Sequence, residues 1–319
     1  MDFRSGGWVL VLTGVVVLGI AAWRVLAILP TLDHRAHGDG VHLESYGFDL
    51  SNLLVPRERL YPIGPGMPKD GLPAMNHPAT IAASELPADR KLLRIRKMTT
   101  TTRVIGVEID GEARAYPLWV LNWHEIANDT LGGTPILVTY NGICDSAVVF
   151  ERRVRGREAE FGFSGLLYNG NLVFYDRRDD PHDESLWCQL QFRAIAGPAA
   201  ADKLSLRVLP CELTEWGAWV ARRPQTTIVL PDPSRARIYK RDPYSTYFAS
   251  DEIKFPTEPL PPENGPLRRK DRVVAVQDAQ EDRWEVMPAA EFAATPAPKR
   301  PTVFAFWFAW YAHHPDSRP

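Results

Sequence analysis

Apolar and polar side chains alternate from Arg103 to Ile109, which is the pattern of a β-strand with one buried face. Asp110 and Gly111 come next, and this dipeptide favours the tight turn of a two-residue β-hairpin. The alternation resumes from Glu112 to Tyr116. The pattern therefore predicts an antiparallel hairpin at this point of the chain.

Four further stretches are rich in apolar and β-branched residues and have the length of buried strands. They cover residues 134–140, 146–150, 159–163 and 172–175, with a turn at Asn169–Asn171 before the last of them. Helical patterns are fewer: a short helix is predicted over 79–86, and a longer one over 213–222. The chain is therefore predicted to be β-rich with a few short helices.

The segment from Trp8 to Leu29 is apolar apart from Arg24, and it is long enough to span the hydrocarbon core of a bilayer as a helix. The alternative is a secretory signal peptide cleaved near Val25–Ala27. We expect residues 1–30 to form a transmembrane anchor, so the membrane is the first predicted partner. In both cases the remaining chain faces the periplasm or the cell exterior when the N-terminus stays inside.

Two pairs of similar segments indicate an internal duplication. The pattern Trp-x-Ala-Trp-x-Ala-x-x-Pro occurs from Trp216 to Pro224 and again from Trp307 to Pro315. The segment Arg103–Asp110 is similar to Arg272–Asp278, which precedes the second tryptophan motif. We interpret the C-terminal segment as an abbreviated second copy that has lost the middle of the first. One hairpin and one helix are too small to bury a core alone, so the second copy should pack on the first.

These patterns divide the chain into five parts. They are a transmembrane anchor or signal peptide (1–30), a polar lead-in rich in Pro and Gly (31–78), a full β-rich module (79–254), a Pro-rich linker (255–271) and the abbreviated copy (272–319). The 28 prolines argue against a helical bundle, because proline breaks helix interiors. The expected fold class is α+β and β-rich: a mostly antiparallel sheet or barrel-like module, preceded by one N-terminal transmembrane helix.

Charge and cysteine content narrow the function classes. The 319 residues carry 37 basic and 39 acidic side chains, a formal net charge of −2, so we expect no nucleic-acid partner. Three cysteines are too few for a disulfide-dense scaffold, and their odd number leaves at least one thiol unpaired within the chain. A disulfide between Cys188 and Cys211 would leave Cys144 as that thiol.

Four motifs appear in the same order as in one known family. They are Gly-Glu-Ala-Arg-Ala-Tyr-Pro-Leu (111–118), Asn-Trp-His-Glu-Ile-Ala-Asn-Asp-Thr (122–130), Ser-Gly-Leu-Leu-Tyr-Asn-Gly-Asn-Leu (164–172) and Glu-Ser-Leu-Trp (184–187). From about Asp70 to Thr226, with the C-terminal segment as a weaker extension, the chain resembles the domain of unknown function 3179 family. That family includes secreted or membrane-tethered bacterial and archaeal proteins. The resemblance implies an extracytoplasmic protein and does not imply a reaction.

One motif of that family bears on chemistry. Members commonly carry Cys-Pro-Leu-Cys after the strand that ends in Thr-Tyr, whereas this chain has Asn141-Gly142-Ile143-Cys144. Because Asn141 replaces the first cysteine, Cys144 cannot form the local disulfide of a Cys-x-x-Cys pair. Dithiol oxidoreductase activity is therefore not expected of this chain.

Cys144, His124 and Asp145 form the candidate catalytic site. A cysteine and a histidine can bind Cu(I) or Zn(II), or the imidazole can activate the thiolate while Asp145 orients the imidazole. Cys144 and His124 are therefore also the candidate metal ligands, with copper or zinc as the cofactor. The alternative is structural for both residues: a buried free cysteine and a hydrogen-bonded core histidine.

Three functional hypotheses follow, and they leave open whether the protein is an enzyme. The first is a membrane-anchored extracytoplasmic protein that binds a small ligand or a partner at the loop around Cys144. The second is a thiol- or metal-dependent enzyme, or a metal-handling protein, that uses Cys144 and His124. The third is a structural subunit of an envelope complex. Among the other residues, we expect Trp187, Trp216 and Trp219 in the core and His313–His314 at a solvated helix end.

Overall fold

A computed structural model describes residues 38–278, 283–292 and 300–318, and Thr13 in the N-terminal run. The predicted membrane anchor, residues 1–30, otherwise lies outside the described residues. Among the residues that are described, no helix is both long and apolar enough to span a bilayer. The anchor and the location outside the cytoplasm stay predictions.

Short strands dominate the described part of the chain. They are β1 (Leu60–Pro62), β2 (Met75–Asn76), β3 (Thr80–Ala82), β4 (Lys91–Leu92), β5 (Arg96–Lys97), β6 (Arg103–Ile109), β7 (Glu112–Pro117), β8 (Ile126–Leu131), β9 (Thr134–Asn141), β10 (Ser146–Glu151), β11 (Arg153–Val154), β12 (Arg157–Glu158), β13 (Phe161–Tyr168), β14 (Asn171–Asp176), β15 (Leu186–Cys188), β16 (Arg193–Ala196), β17 (Val208–Leu209), β18 (Glu212–Glu215), β19 (Thr227–Val229), β20 (Arg272–Gln277), β21 (Trp284–Pro288) and β22 (Thr302–Phe306). The prediction of a β-rich chain is confirmed.

The helices are brief and lie between strands. The α-helices are α1 (Leu118–Leu121), α2 (Pro198–Ala201), α3 (Trp216–Arg222), α4 (Ser245–Phe248), α5 (Ala289–Phe292) and α6 (Trp307–His313). Single 3-10 turns lie at Leu43–Tyr46, Arg57–Arg59, Ala83–Glu85, Pro181–Asp183, Pro233–Arg235 and Ile238–Lys240. The expectation of a few short helices is confirmed.

Most strands belong to three open sheets. The central sheet has eight strands, in the order β2-β8-β9-β10-β22-β20-β21 with β17 also paired to β10. The two five-stranded sheets have the orders β1-β13-β14-β15-β16 and β18-β6-β7-β19-β3. Neighbours are antiparallel except for β19 beside β7 and β2 beside β8. The antiparallel-sheet form of the prediction is confirmed, and the closed, barrel-like form is wrong.

The central sheet separates two hydrophobic cores, because successive side chains of a strand point to opposite faces. In β10, Val148 and Phe150 belong to the core shared with the β13–β14 sheet. Ala147 and Val149 of the same strand belong to the core shared with the β6–β7 sheet. Burial of both faces explains why this strand is a continuous apolar run in the sequence and shows no alternation. The tryptophans predicted to be core residues are buried, namely Trp187, Trp216 and Trp219.

Two predicted helices are wrong over part of their length, since those residues pair as strands. Residues 79–86 contain β3, which pairs with β19, and one 3-10 turn. Residues 212–215 form β18 antiparallel to β6, and helix α3 begins only at Trp216. The unpaired edge of a neighbouring strand supplies hydrogen-bonding partners that the pattern of a single segment does not contain.

The two segments with similar sequences have the same arrangement of elements. In the first segment, β18 precedes helix α3 and joins the β6–β7 hairpin in the order β18-β6-β7. In the second segment, β22 precedes helix α6 and joins the β20–β21 hairpin in the order β22-β20-β21. Nε1 of Trp219 donates to Oγ1 of Thr226 at 2.9 Å after helix α3, and Nε1 of Trp310 donates to Oγ of Ser317 at 2.9 Å after helix α6. Since β22 also pairs with β10, the C-terminal segment extends the central sheet.

The lead-in and the linker both pack against the module. Tyr46, Val55 and Leu60 of the lead-in are buried with residues of the β13–β14 sheet. In the linker, the backbone N–H of Glu258 donates to Oδ1 of Asn169 at 2.7 Å. The described residues from Gly38 onward accordingly form one compact unit.

Candidate functional site

Asp145 lies in the tight connection between β9 and β10. Of the three predicted site residues, its side chain makes the most hydrogen bonds. Its backbone has a φ of 44°, and its side chain is fully buried. Oδ1 accepts a hydrogen bond from the Tyr140 hydroxyl at 2.7 Å. Oδ2 accepts from Nη2 of Arg103 at 2.9 Å and from Nε of Arg272 at 2.5 Å. One buried carboxylate therefore holds two guanidinium groups from separate parts of the chain.

The charges of this Arg103–Asp145–Arg272 cluster act on each other. Burial alone would lower the pKa of Arg103, but the Asp145 carboxylate and the Tyr140 hydroxyl outweigh it, and the pKa is raised. Burial raises the pKa of Tyr140 well above its ordinary value, and the neighbouring carboxylate adds to this effect. Tyr140 therefore remains a neutral donor and Arg103 remains cationic at every physiological pH.

A cavity of about 500 Å³ opens beside the cluster. Its walls include four cationic side chains and one carboxylate, namely Arg96, Lys97, Arg103, Arg272 and Asp242. Asp242 is itself occupied, since its Oδ1 accepts the backbone N–H groups of Tyr244 and Ser245 at 3.0 and 3.1 Å. Hydroxyl groups of Thr99, Thr101 and Thr102 add further hydrogen-bonding capacity. The lining is therefore cationic and rich in donors.

Cys144 adjoins Asp145 in the sequence but lies in the apolar core. Its side chain is fully buried among residues of the core that contains Phe163 and Leu172, and its thiol donates to the Gly170 carbonyl at 3.2 Å. Burial raises the pKa of the Cys144 thiol far above its ordinary range, because a thiolate would lose its solvation. The environment favours the neutral thiol, which is neither a nucleophile nor a good metal ligand.

His124 follows helix α1, and both of its ring nitrogens have partners. Nδ1 lies 2.6 Å from the Pro73 carbonyl oxygen, and Nε2 lies 2.6 Å from the Tyr239 hydroxyl. Burial lowers the pKa of His124. Within the described residues, no group of three or more His, Cys, Asp or Glu side chains is arranged to hold a metal ion. Of the three predicted site residues, Asp145 is the one hydrogen-bonded to Arg103, Tyr140 and Arg272, which line the cavity of about 500 Å³.

Glu125 is a buried acid that the sequence analysis missed. Nδ2 of Asn141 lies 3.4 Å from each of its carboxylate oxygens. Burial raises the pKa of Glu125 to about 8, although hydrogen bonds from Asn141 and Tyr244 oppose the shift. At neutral pH the side chain is therefore mostly a neutral acid. Its position next to His124 in the Asn-Trp-His-Glu motif was the only signal in the sequence.

Arg103 and Arg272 were also not predicted as site residues, although the similarity of the segments that they begin is visible in the sequence. They are the first residues of β6 and β20, which are the strands of the two similar segments. Because the two segments have the same arrangement, equivalent positions present the same kind of side chain to the loop between β9 and β10.

Two further expectations are wrong. All three cysteines are free and buried, so Cys188 and Cys211 do not form a disulfide. His313 is buried rather than solvated, with Nδ1 2.9 Å from the Ala309 carbonyl oxygen, and burial lowers its pKa to about 4. His314 stacks on Trp310 with ring centroids 4.0 Å apart. Both histidines belong to the packing between helix α6 and the module.

Comparison with known proteins places the chain in a family. A family model described as "Protein of unknown function (DUF3179)" matches residues 69–295. The chain belongs to the DUF3179 family. The matched region extends past Thr226, where the main resemblance ends, and contains all of the Arg103–Asp145–Arg272 cluster. No curated protein and no solved structure matches the chain.

Proposed function

We propose that this DUF3179 protein binds a small anionic molecule in the cavity beside the Arg103–Asp145–Arg272 cluster. The site is still the loop around Cys144, but the groups that bind the ligand are the arginines held by Asp145 and not the Cys144 thiol. The observation that carries it is the convergence of two arginines on a single buried carboxylate.

One carboxylate neutralises only one of the two guanidinium groups. The remaining positive charge lies at the cavity. Arg96 and Lys97 add two more positive charges there, and Asp242 supplies one negative charge. Arginine presents several N–H donors in a planar fork that suits carboxylate and phosphate oxygens. An anion in this cavity would therefore balance charges that the described residues leave in excess.

The dimensions of the cavity suit a small molecule. Its volume of about 500 Å³ lies within the usual range for ligand sites. Asp145 is hydrogen-bonded on both oxygens, so its arginines are already oriented before any ligand arrives. Such preorganisation reduces the entropy that binding would otherwise cost. The ligand class that fits is a compound with one or two carboxylate or phosphate groups.

Titration calorimetry of the purified full chain with inorganic phosphate and with citrate tests the proposal. We expect at least one of these anions to bind, and Arg272→Gln to weaken that binding by about tenfold or more, as for a charged hydrogen bond. Lys97→Gln, at an exposed position, should weaken binding without affecting folding. Arg207→Gln is the matched control, because Arg207 is exposed and pairs with Glu151 away from the cavity lining. Binding of neither anion, or equal binding by all variants, would contradict the proposal.

The thiol or metal hypothesis has less support. The Cys144 side chain is fully buried in the core, and both ring nitrogens of His124 already have hydrogen-bonding partners in Pro73 and Tyr239. Metal analysis of the purified chain and of Cys144→Ser provides the direct comparison: a metal present in the first and lost in the second would restore this hypothesis.

We further propose that the protein is tethered to a membrane with residues 38–319 outside the cytoplasm. The support is the apolar run from Trp8 to Leu29. Protease treatment of intact cells and of spheroplasts, followed by detection of a C-terminal tag, tests this orientation. Protection of the tag in spheroplasts would contradict it.

A further inference from the structure

Strands β4 and β5 form a small separate hairpin whose apex is apolar and exposed. Lys91 pairs with Lys97, and Leu92 pairs with Arg96. Leu93, Arg94 and Ile95 form the three-residue turn between them, and the Leu93 side chain is 45% exposed. Few large apolar residues of the described chain are exposed to this degree. The apex therefore presents an aliphatic side chain to the surroundings.

The turn uses a costly backbone conformation. Leu93 has a φ of 47° and Arg94 a φ of 59°. Two consecutive positive φ values favour Asn and Gly, because other residues adopt this conformation at an energetic cost. Leu93 and Arg94 are thus poor choices for the turn itself, which suggests that their side chains serve another purpose.

Positive charge surrounds the apex. Five of the eight residues from Arg90 to Lys97 are Arg or Lys. Lys91 lies 3.8 Å from Asp89, and both side chains are largely exposed. Within the described part of the chain, Arg90, Arg94 and Lys97 have no ion-pair partner. A surface of opposite charge would therefore find unpaired cations on either side of Leu93.

An apolar cavity of about 510 Å³ lies beside the same apex. Ile81, Pro87, Leu92 and Leu230 contribute apolar walls, and Lys91 and Arg94 line it as well. Apolar surface next to unpaired cations is the combination found where proteins meet the headgroup region of a bilayer. An acidic protein or a nucleic acid would match the charge but would leave Leu93 and this cavity without an apolar counterpart.

We propose that the β4–β5 hairpin docks on the surface of bilayers that contain anionic lipids, with Leu93 in the interfacial region and the neighbouring Arg and Lys side chains among the headgroups. Basic residues near an anionic leaflet are attracted within about a Debye length, so the docking should weaken as salt increases. Arg96 and Lys97 of the hairpin line the cavity beside Asp145, whereas Leu93 and Arg94 do not. The tests therefore change only Leu93 and Arg94, so that a failure of docking can be told apart from a failure of the proposed anion binding.

An environment-sensitive fluorophore at residue 93 tests the docking in the full chain. Since Cys144, Cys188 and Cys211 are all buried, Leu93→Cys supplies the one accessible thiol of the described residues for labelling with a nitrobenzoxadiazole probe. Vesicles of phosphatidylcholine are compared with vesicles of equal parts phosphatidylcholine and phosphatidylglycerol. The apolar N-terminal run is present with both vesicle types, so a difference between them reports the charge-dependent contact.

We expect blue-shifted, brighter emission with the anionic vesicles, and its loss at high salt. The label at Leu54→Cys is the control, because Leu54 is also exposed, at 43%, but lies outside the basic hairpin. Equal emission from residue 93 with both vesicle types would overturn the proposal. A response of that label to polyglutamate or to an oligonucleotide, without a response to anionic vesicles, would also overturn it.

The variant Leu93→Asn/Arg94→Gly separates docking from folding. Asn and Gly adopt the positive φ values of these two positions more readily than Leu and Arg, so the fold should keep or gain stability. Loss of one cation should lower the anionic-over-neutral vesicle binding ratio by about fivefold. Loss of the apolar side chain should weaken binding to both vesicle types. A variant that is stable and still prefers anionic vesicles as the wild type does would show that the apex takes no part.

Discussion

Arg103 and Arg272, which are far apart in the sequence, place their guanidinium nitrogens on the same oxygen of Asp145, at 2.9 and 2.5 Å. Each is the first residue of its strand, β6 or β20, and the two strands belong to segments with the same arrangement. The loop between β9 and β10, which occurs once in the described chain, thus receives one cation from each segment.

Asp145→Asn should be strongly destabilising, because it leaves two arginines facing a neutral amide. We expect a loss of about 3–5 kcal/mol in the free energy of unfolding, as for the removal of one partner from a buried ion pair. Because both arginine side chains are partly exposed, we expect a loss near the lower end of this range. Urea unfolding measures this loss. Asp202→Asn is the control: its pair with Arg155 is exposed, so a loss of at most about 1 kcal/mol is expected.

Gly142→Ala should destabilise the loop that carries Asp145. A Cβ atom at residue 142 would lie 2.2 Å from a ring carbon of Tyr244, so either the ring or the loop must move. The expected loss is about 1–3 kcal/mol, which is typical of overpacking. A double-mutant cycle with Tyr244→Ala checks the cause. Additive losses would contradict a direct clash, whereas a smaller loss in the double variant supports it.

Glu125 should make the protein less stable as the pH rises through neutrality. Burial raises its pKa from 4.5 to about 8, so the folded state binds more protons than the unfolded state between these values. The contribution of the neutral acid is fully present below about pH 4.5 and is lost as the pH rises toward 8. Relative to Glu125→Gln, the wild-type unfolding free energy should fall by up to about 1.4 kcal/mol per pH unit in this window.

Chemical denaturation of the wild type and of Glu125→Gln at several pH values measures that difference. Glu112→Gln is a suitable control, since Glu112 is exposed. Parallel pH profiles for the wild type and Glu125→Gln would show that Glu125 ionises normally in the folded protein.

The cysteines should be unreactive until the protein unfolds. All three are buried, and burial raises the pKa of the Cys144 thiol far above its ordinary range. Mass spectrometry after treatment with iodoacetamide should therefore find little modification in the native chain and full modification in denaturant. Rapid selective labelling of Cys144 in the native chain would instead indicate an accessible thiolate.

Local chemistry decided much of the strand pattern. The hairpin at Asp110–Gly111 forms with φ values of 49° and 83°, as that dipeptide favours. The buried runs become β9 and β10 because apolar, β-branched residues pack well between two cores. The residues that form β18 were wrongly predicted as helix because their partner strand, β6, lies far earlier in the chain.

By itself, the sequence determined the family, the β-rich class, the main hairpins and the likeness of the segments at Arg103 and Arg272. These follow from local turn chemistry, apolar periodicity and motif order, which a chain carries before it folds. Only the tertiary structure decided that Cys144 enters the core while its neighbour Asp145 faces two arginines. That outcome depends on strand pairing between distant segments, because the two successive side chains lie in different surroundings once the sheets have packed.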